Sequence, residues 1–397
     1  MEALKTKIQA LSEAYHHDVV NIRRHLHQHP ELSFEEFETA DFIAAQLHAY
    51  GIPFQTGVAK TGIVALIEGK NPSAKVVALR ADMDALPITE ANTCDYKSEN
   101  EGVMHACGHD VHMASLLGAA RILNQLREHF SGTIKLIFQP SEEKFPGGAK
   151  AMIEEGVLKN PDVALIFGQH TLPTMEAGKV GMKGGKYMAS TDEIYLTVKG
   201  RGGHAATPEL NIDPIIISAH ILTALQQVVS RYAKSAIPTV LSFGKIEGAG
   251  RTNIIPDVVK IEGTFRTFDE TWRAEAHEHI IRIAQGIARS MGGDCDVVFS
   301  RGYPFLVNDE ELTQRSFQHA QEYLGIENVV ALDMRMTAED FAYFAREIPA
   351  CFYRLGVRNE ARGITSNLHT PTFDADELSL KVGMGLMAWL AMAEMKL

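Results

Sequence analysis

Cysteine is scarce in this chain. Its four residues, Cys94, Cys107, Cys295 and Cys351, are scattered through 397 positions, which excludes a disulfide framework and leaves a reducing cytoplasm as the expected compartment. Long apolar runs are missing as well. No stretch approaches the ~18 residues of a membrane span, and the start Met1-Glu2-Ala3-Leu4-Lys5 has no apolar signal core. Positive charge is in deficit, with 38 Lys and Arg against 50 Asp and Glu. The excess acid is spread out and no basic stripe occurs, so neither nucleic acid nor a membrane is an expected partner. Internal repeats and low-complexity tracts are absent too. What remains is a chain of ordinary globular composition, 45% hydrophobic and 22% charged, long enough for about two to three domains.

Against that background one stretch stands out: Met104-His105-Ala106-Cys107-Gly108-His109-Asp110-Val111-His112. It crowds a thiol, three imidazoles and a carboxylate together, and these are the side-chain ligand types of zinc-like metals. A structural zinc site would carry a second Cys/His cluster at finger or ribbon spacing, and none exists. The other candidate ligands stand singly, far along the chain, beside apolar runs. That distribution predicts a catalytic metal site assembled by the fold.

The expected fold class is α/β. Helices are predicted over about residues 4–28 and 36–50, then short apolar strands at 63–67, 76–80, 134–138 and 163–167, with helices near 110–128 and 147–156. Continuous β-branched runs alternating with helices predict a largely parallel central sheet flanked by helices. From about 187 the pattern becomes strand 192–199, helix 213–233, strands 239–246 and 257–267, helix 270–291 and strand 295–301. That βαββαβ order matches the split ferredoxin-like unit, whose neighbouring ends allow insertion into a host. The expected organisation is therefore a first catalytic part at 1–186, an inserted α+β lid or dimerisation domain at 187–302 and a second catalytic part at 303–397.

The chemistry falls at strand exits, where open α/β sheets bind ligands. Asp82 and Asp84 follow the strand ending at Arg80, Glu142 and Glu143 follow 134–138, and His170 follows 163–167. A lone Cys-x-His is more often a buried Cys beside capping histidines. Here the strand-exit acids and the later isolated His170 and His369 reverse that weighting for Cys107 and His109, and a position near a helix N-terminus is expected to lower the thiol pKa. Glu-Glu is usually a solvated pair, but after a buried strand the two carboxylates can divide labour, one ligating metal and one accepting a proton. Asp84 is expected to ligate or to orient a ligand histidine, with simple capping as the alternative. His204, in Arg201-Gly202-Gly203-His204-Ala205, reads either as an exposed turn residue or as a lid histidine donating to an oxyanion. Asn253 and Arg266 are even candidates for gripping a substrate carboxylate.

Five ordered motifs carry a family resemblance: Ala81-Asp82-Met83-Asp84-Ala85-Leu86-Pro87, His105-Ala106-Cys107-Gly108-His109-Asp110, Gln139-Pro140-Ser141-Glu142-Glu143, Gly200-Arg201-Gly202-Gly203-His204-Ala205 and Leu368-His369-Thr370-Pro371. Together they resemble the M20 family of metallopeptidases and amidohydrolases, in its amidohydrolase branch of aminoacylase-like enzymes, hippurate hydrolases and auxin-conjugate hydrolases. The resemblance implies two divalent metals per subunit, Mn²⁺ or Zn²⁺ with Co²⁺ or Ni²⁺ as further candidates. It implies the ligands Cys107, His109, Glu143, His170 and His369, with Glu142 as general base and His204 as the lid histidine. The implied activity is hydrolysis of the amide bond of N-acyl amino acids, by a homodimer or higher homo-oligomer formed through the inserted domain. A dipeptidase or carboxypeptidase with the same site is the alternative, and a non-catalytic metal-binding protein a further one. Ala338 stands where relatives often carry Ser, which bears on substrate fit.

Overall fold

The computed structural model describes residues 2–395. The chain divides into two compact units. The larger comprises Met1–Tyr187, Val307–Asp333 and Asp340–Leu397, and the smaller Met188–Leu306 with Met334–Glu339. These divisions differ from the expected 186/187 and 302/303. The smaller unit runs on to Leu306 and also takes in 334–339, because Ala189 N–H reaches Arg335 O at 3.1 Å and Thr337 O at 3.0 Å. Backbone pairing of that kind leaves no trace in side-chain periodicity. No helix among the described residues is long and apolar enough to cross a membrane.

In the larger unit, helices α1 (Glu2–Gln28), α2 (Phe37–Ala49) and α3 (His109–Gln125) accompany strands β1 (Phe54–Val58), β2 (Gly62–Glu68), β3 (Val76–Asp82), β4 (Thr133–Gln139), β5 (Leu165–Glu176), β6 (Val180–Met182), β7 (Val329–Ala331) and β8 (Ala350–Arg358). The sheet order is β1-β2-β4-β3-β5-β8-β6-β7. The centre, β4-β3-β5-β8, is parallel throughout, while β1, β2 and the β8–β6 pair are antiparallel. Every residue of strands β3 and β4 is buried, Arg80, Asp82 and Lys135 included, as in a parallel sheet covered on both faces. Helices α1, α3 and the last helix, Leu378–Ala393, pack on one another. Val19, Leu117, Leu123, Leu386 and Trp389 are among their fully or almost fully buried residues.

One expectation needs correction. The strand predicted at 163–167 runs over Leu165–Glu176, so His170 lies inside it and not beyond its exit. Parallel pairing with β8, which sets Arg354 opposite His170, carries the strand through a polar stretch that has no apolar signature. Asp82 is likewise the last residue of β3. Because β4 and β5 flank β3 on opposite sides, chain direction reverses its order there, and the crevice at such a switch point is where a doubly wound sheet places its ligand.

The smaller unit is a four-stranded antiparallel sheet in the order 239–247, 258–267, 192–199, 294–301. Helices Pro214–Gln227 and Glu270–Ser290 connect its strands in βαββαβ sequence. Asp213 caps the first helix through the amides of Ile215 and Ile216, and Asp269 caps the second through Trp272. Ile217, Ile221, Leu225 and Val228 form the stripe that meets the sheet. The helix predicted as far as 233 stops as an α-helix at Gln227 and ends in a π turn over Val228–Tyr232.

Candidate metal and catalytic site

The crowded Cys/His stretch lies where chain enters α3. Gly108 precedes the helix with φ 84°, a left-handed conformation that glycine adopts without steric cost. A Cβ there would stand 2.7 Å from the Thr171 side chain. That tight turn puts Cys107 beside β5. Its Sγ is 3.4 Å from His170 Nε2, and Thr171 Oγ1 donates to Cys107 O at 2.9 Å.

The histidines are held in defined tautomers by their neighbours. Thr171 N–H donates to His112 Nε2 at 2.9 Å, so His112 carries its proton on Nδ1 and donates it to Asp82 Oδ1 at 2.6 Å. Both nitrogens of His112 are thereby consumed, although Asp82, His109 and His112 lie close enough together to resemble a ligand triad. Asp82 is engaged as well, accepting from Arg80 Nη1 at 2.7 Å. His170 donates Nδ1–H to Thr171 O at 2.8 Å, which frees Nε2. His109 donates Nδ1–H to Asp84 O at 2.8 Å. Its Nε2, completely buried, has no hydrogen-bond partner among the described residues. A buried polar nitrogen with no partner is costly, and here it faces the other candidate ligands.

The Glu142-Glu143 loop is fixed through its backbone. Asp84 accepts Glu142 N–H on Oδ1 and Glu143 N–H on Oδ2, each at 2.9 Å. Asp84 thus bonds both the loop and, through its carbonyl, His109. Glu143 Oε1 lies 3.2 Å from His369 Nε2 and 3.9 Å from His109 Nε2. His369 itself has φ 60°, and its N–H bonds Ala106 O at 2.9 Å, tying its loop to the Cys107 segment. Glu142 is almost fully buried, and its Oε1 accepts the Asp340 N–H at 3.4 Å.

Three overlapping groups result, each with its ligand atoms within 4.8 Å of one another: Cys107-His109-His170, Cys107-Glu143-His369 and His109-Glu142-Glu143. The structure therefore brings together all five expected ligands and Glu142. The electrostatics match a site built for cations. Burial disfavours a charged His109, yet Asp82, Asp84 and Glu143 outweigh it and push its pKa up to about 10. Burial, then Glu143 and Glu142, hold the Cys107 thiol well above its usual range. The helix-terminus lowering expected from sequence is overridden, because desolvation and two carboxylates outweigh a partial dipole charge. The His369 pKa is raised by its bond to Glu143. Thiol, imidazoles and carboxylates converging around an unpartnered nitrogen fit divalent cations as ligands.

The smaller unit carries the other expected residues. His204 is exposed and pairs with Ile254 in a short antiparallel ladder. Ala206 N–H donates to His204 Nδ1 at 3.0 Å, which leaves Nε2 as the ring's donor. Asn253 is exposed, and its carbonyl accepts Ala205 N–H at 3.1 Å. Arg266 is part-buried and donates to Thr264 Oγ1 and to Phe265 O.

Sequence reasoning missed Arg23, Ser33 and Glu36, buried or half-buried in the N-terminal segment, which hold the site from behind. Arg23 bonds Asp110 and Asp374, Ser33 Oγ donates to Asp84 Oδ2 at 2.6 Å and Glu36 accepts the Ser141 amide. Arg23 and Glu36 read as ordinary helix charges, and no spacing rule marks them.

Residues 78–393 match the model of peptidase family M20/M25/M40. The chain is 39% identical over 394 residues to thermostable carboxypeptidase 2 of Saccharolobus solfataricus, covering 98% of each. It is 44% identical over 307 residues to an N-acyl-L-amino acid amidohydrolase of Geobacillus stearothermophilus, covering 77% of this chain and 82% of that one. The crystal structure of the Bacillus subtilis YXEP protein, titled a dinuclear metal-binding peptidase of the M20 family, superposes with a TM-score of 0.81 at 36% identity, covering 96% of this chain and 98% of that one.

Proposed function

This chain belongs to peptidase family M20/M25/M40, and we propose that it is a metal-dependent amidohydrolase that cleaves N-acyl amino acids to a carboxylic acid and a free amino acid. The observation that carries the reading is Glu142, a nearly buried carboxylate beside the candidate ligands, its backbone fixed by Asp84. A site that only stored metal has no use for a second acid so placed. The N-acyl-amino-acid relative at 44% identity supports the substrate class.

Two divalent cations are proposed, held by Cys107, His109, Glu143, His170 and His369. That Cys107 belongs to two of the ligand groups, and Glu143 to two as well, suits a shared pair, and the solved relative described as dinuclear supports the count. When bound, such ions supply Lewis acidity toward the amide carbonyl and the attacking water. Glu142 removes a proton from that water and returns it to the leaving amine. His204, with its proton on Nε2, is proposed to donate to the developing oxyanion, and Arg266 and Asn253 to hold the substrate carboxylate. The native ions are proposed to be Mn²⁺ or Zn²⁺, and the smaller unit to serve as lid and as homodimer surface.

A second reading, a carboxypeptidase or dipeptidase on the same residues, is favoured by the carboxypeptidase relative at 39% identity. One experiment separates the two. After chelation and restoration with Mn²⁺, Zn²⁺, Co²⁺ or Ni²⁺, free-amine release is measured from N-acetyl, N-benzoyl and indole-acyl amino acids and from free dipeptides. Release from the acylated set alone is expected. Release mainly from dipeptides makes the protein a peptidase, and silence with metal bound removes both readings.

A further inference from the structure

Ser141, the residue before Glu142, has φ 49°, and Phe34 has φ 63°. Neither is glycine, and L-residues hold such left-handed conformations only where the surroundings impose them. One atom bonds the amides of both. Glu36 Oε1 accepts Ser141 N–H at 2.8 Å and Phe34 N–H at 2.9 Å. The other oxygen, Oε2, accepts the hydroxyl of Thr61 at 2.6 Å. Glu36 is completely buried, and Ser141 and Thr61 nearly so.

Two routes lead from this carboxylate to the same loop. The short route is the Ser141 peptide itself. The longer one passes through the turn at Phe34 to Ser33, whose hydroxyl bonds Asp84 Oδ2, and Asp84 accepts the amides of Glu142 and Glu143. Three consecutive N–H groups, 141 to 143, thus point into buried carboxylates of the protein's own making. A run of adjacent amides is an anion-binding concavity, and here it is filled from within so that the loop has one conformation.

We propose that Glu36 is a positioning residue for Glu142: by holding Ser141 and Phe34 in left-handed backbone it sets the direction from which the Glu142 carboxylate enters the site. Glu36 bonds none of the candidate ligands directly, and its shortest route ends on Ser141, the neighbour of Glu142, so its effect falls first on the proton-transfer step. This inference rests on the reading of Glu142 as general base. A misplacement of the order of 1 Å costs about 100-fold in rate, which sets the expected scale.

The test compares wild type, Glu36→Gln and Thr61→Val, each loaded with Co²⁺, in kcat, KM, metal content and visible spectrum. Glu36→Gln keeps a carbonyl acceptor and loses the second strong one. It is expected to lower kcat at least tenfold, with KM within about threefold and with wild-type stoichiometry and Co²⁺ spectrum. Thr61→Val, which unfastens Glu36 from the other side, is expected to lower kcat at least threefold in the same pattern, and it decides the matter if Glu36→Gln does not fold. Wild-type kcat in a folded variant overturns the role. So does a loss matched by loss of metal or a changed spectrum, since Glu36 then acts on the ligands. A wild type silent on every substrate overturns the functional reading and this role with it, whereas an active wild type and an equally active variant overturn the role of Glu36 alone.

Discussion

Arg23 donates Nε to Asp110 at 2.7 Å, and both side chains are wholly buried. Its Nη2 reaches Asp374 at 2.8 Å, so one guanidinium joins the segment after His109 to the segment after His369. His27 donates Nδ1–H to the same Asp110 oxygen at 2.8 Å, and Tyr96 donates to Asp374 at 2.8 Å. Removing one partner of a buried ion pair leaves the other charged and unpaired, at a cost of about 3–5 kcal/mol. Arg23→Met is expected to lose about that much stability in urea unfolding followed through Trp389, which is buried in the last helix of the same unit. Affinity for the restored metal is expected to fall too, because His109 and His369 lose their common tie. A wild-type midpoint would show that Arg23 carries no such load.

Adjacent glutamates with different duties give a sharp pair of variants. Glu142→Gln is expected to retain metal and to lose about 10²–10⁴-fold in kcat, the usual worth of a general base. Glu143→Gln, beside His369 and His109, is expected to lose metal stoichiometry first and activity as a consequence. Metal analysis of the dialysed proteins together with kcat distinguishes them. Substantial turnover in Glu142→Gln removes it as the base.

Acid sensitivity of the smaller unit follows from Asp192. Burial alone would raise its pKa, but Arg273 and His277 outweigh burial and lower it below the ordinary 3.8. The unfolded chain then binds more protons than the folded one between the two values, so stability falls as pH falls. The contribution is complete above about pH 4 and disappears through the lower folded-state pKa. Trp272, buried in that unit, reports it by fluorescence. Arg273→Met is expected to destabilise the unit at neutral pH by about 3–5 kcal/mol and to flatten the acid limb. An unchanged limb would place the acid sensitivity elsewhere.

Gly108→Ala tests the turn that sets Cys107 beside His170. Left-handed backbone costs a non-glycine residue about 1–2 kcal/mol, and the added methyl meets Thr171 at 2.7 Å. Reduced stability and a shifted Co²⁺–thiolate absorption band are expected together. Loss of stability with an unchanged band would mean that the turn yields elsewhere and leaves Cys107 in place.

The sequence by itself determined the chemistry and the class of fold. Cys107, His109, Glu142, Glu143, His170 and His369 stand out by their clustering or by their place beside apolar runs, and apolar runs such as Val76–Leu79 mark a parallel sheet because burial on both faces leaves little room for polar alternation. Only the tertiary structure decided the rest. The extension of β5 through His170 depends on pairing with β8, some 180 residues later. The tautomers of His112 and His170 depend on the backbone of one residue, Thr171. Asp84, Glu36 and Arg23 do their positioning through hydrogen bonds to partners 58 to 351 residues away. A carboxylate bonded to a distant amide has the same local sequence as one facing water. Periodicity reports which side of an element is buried, and only three-dimensional placement reports what each buried polar atom meets there.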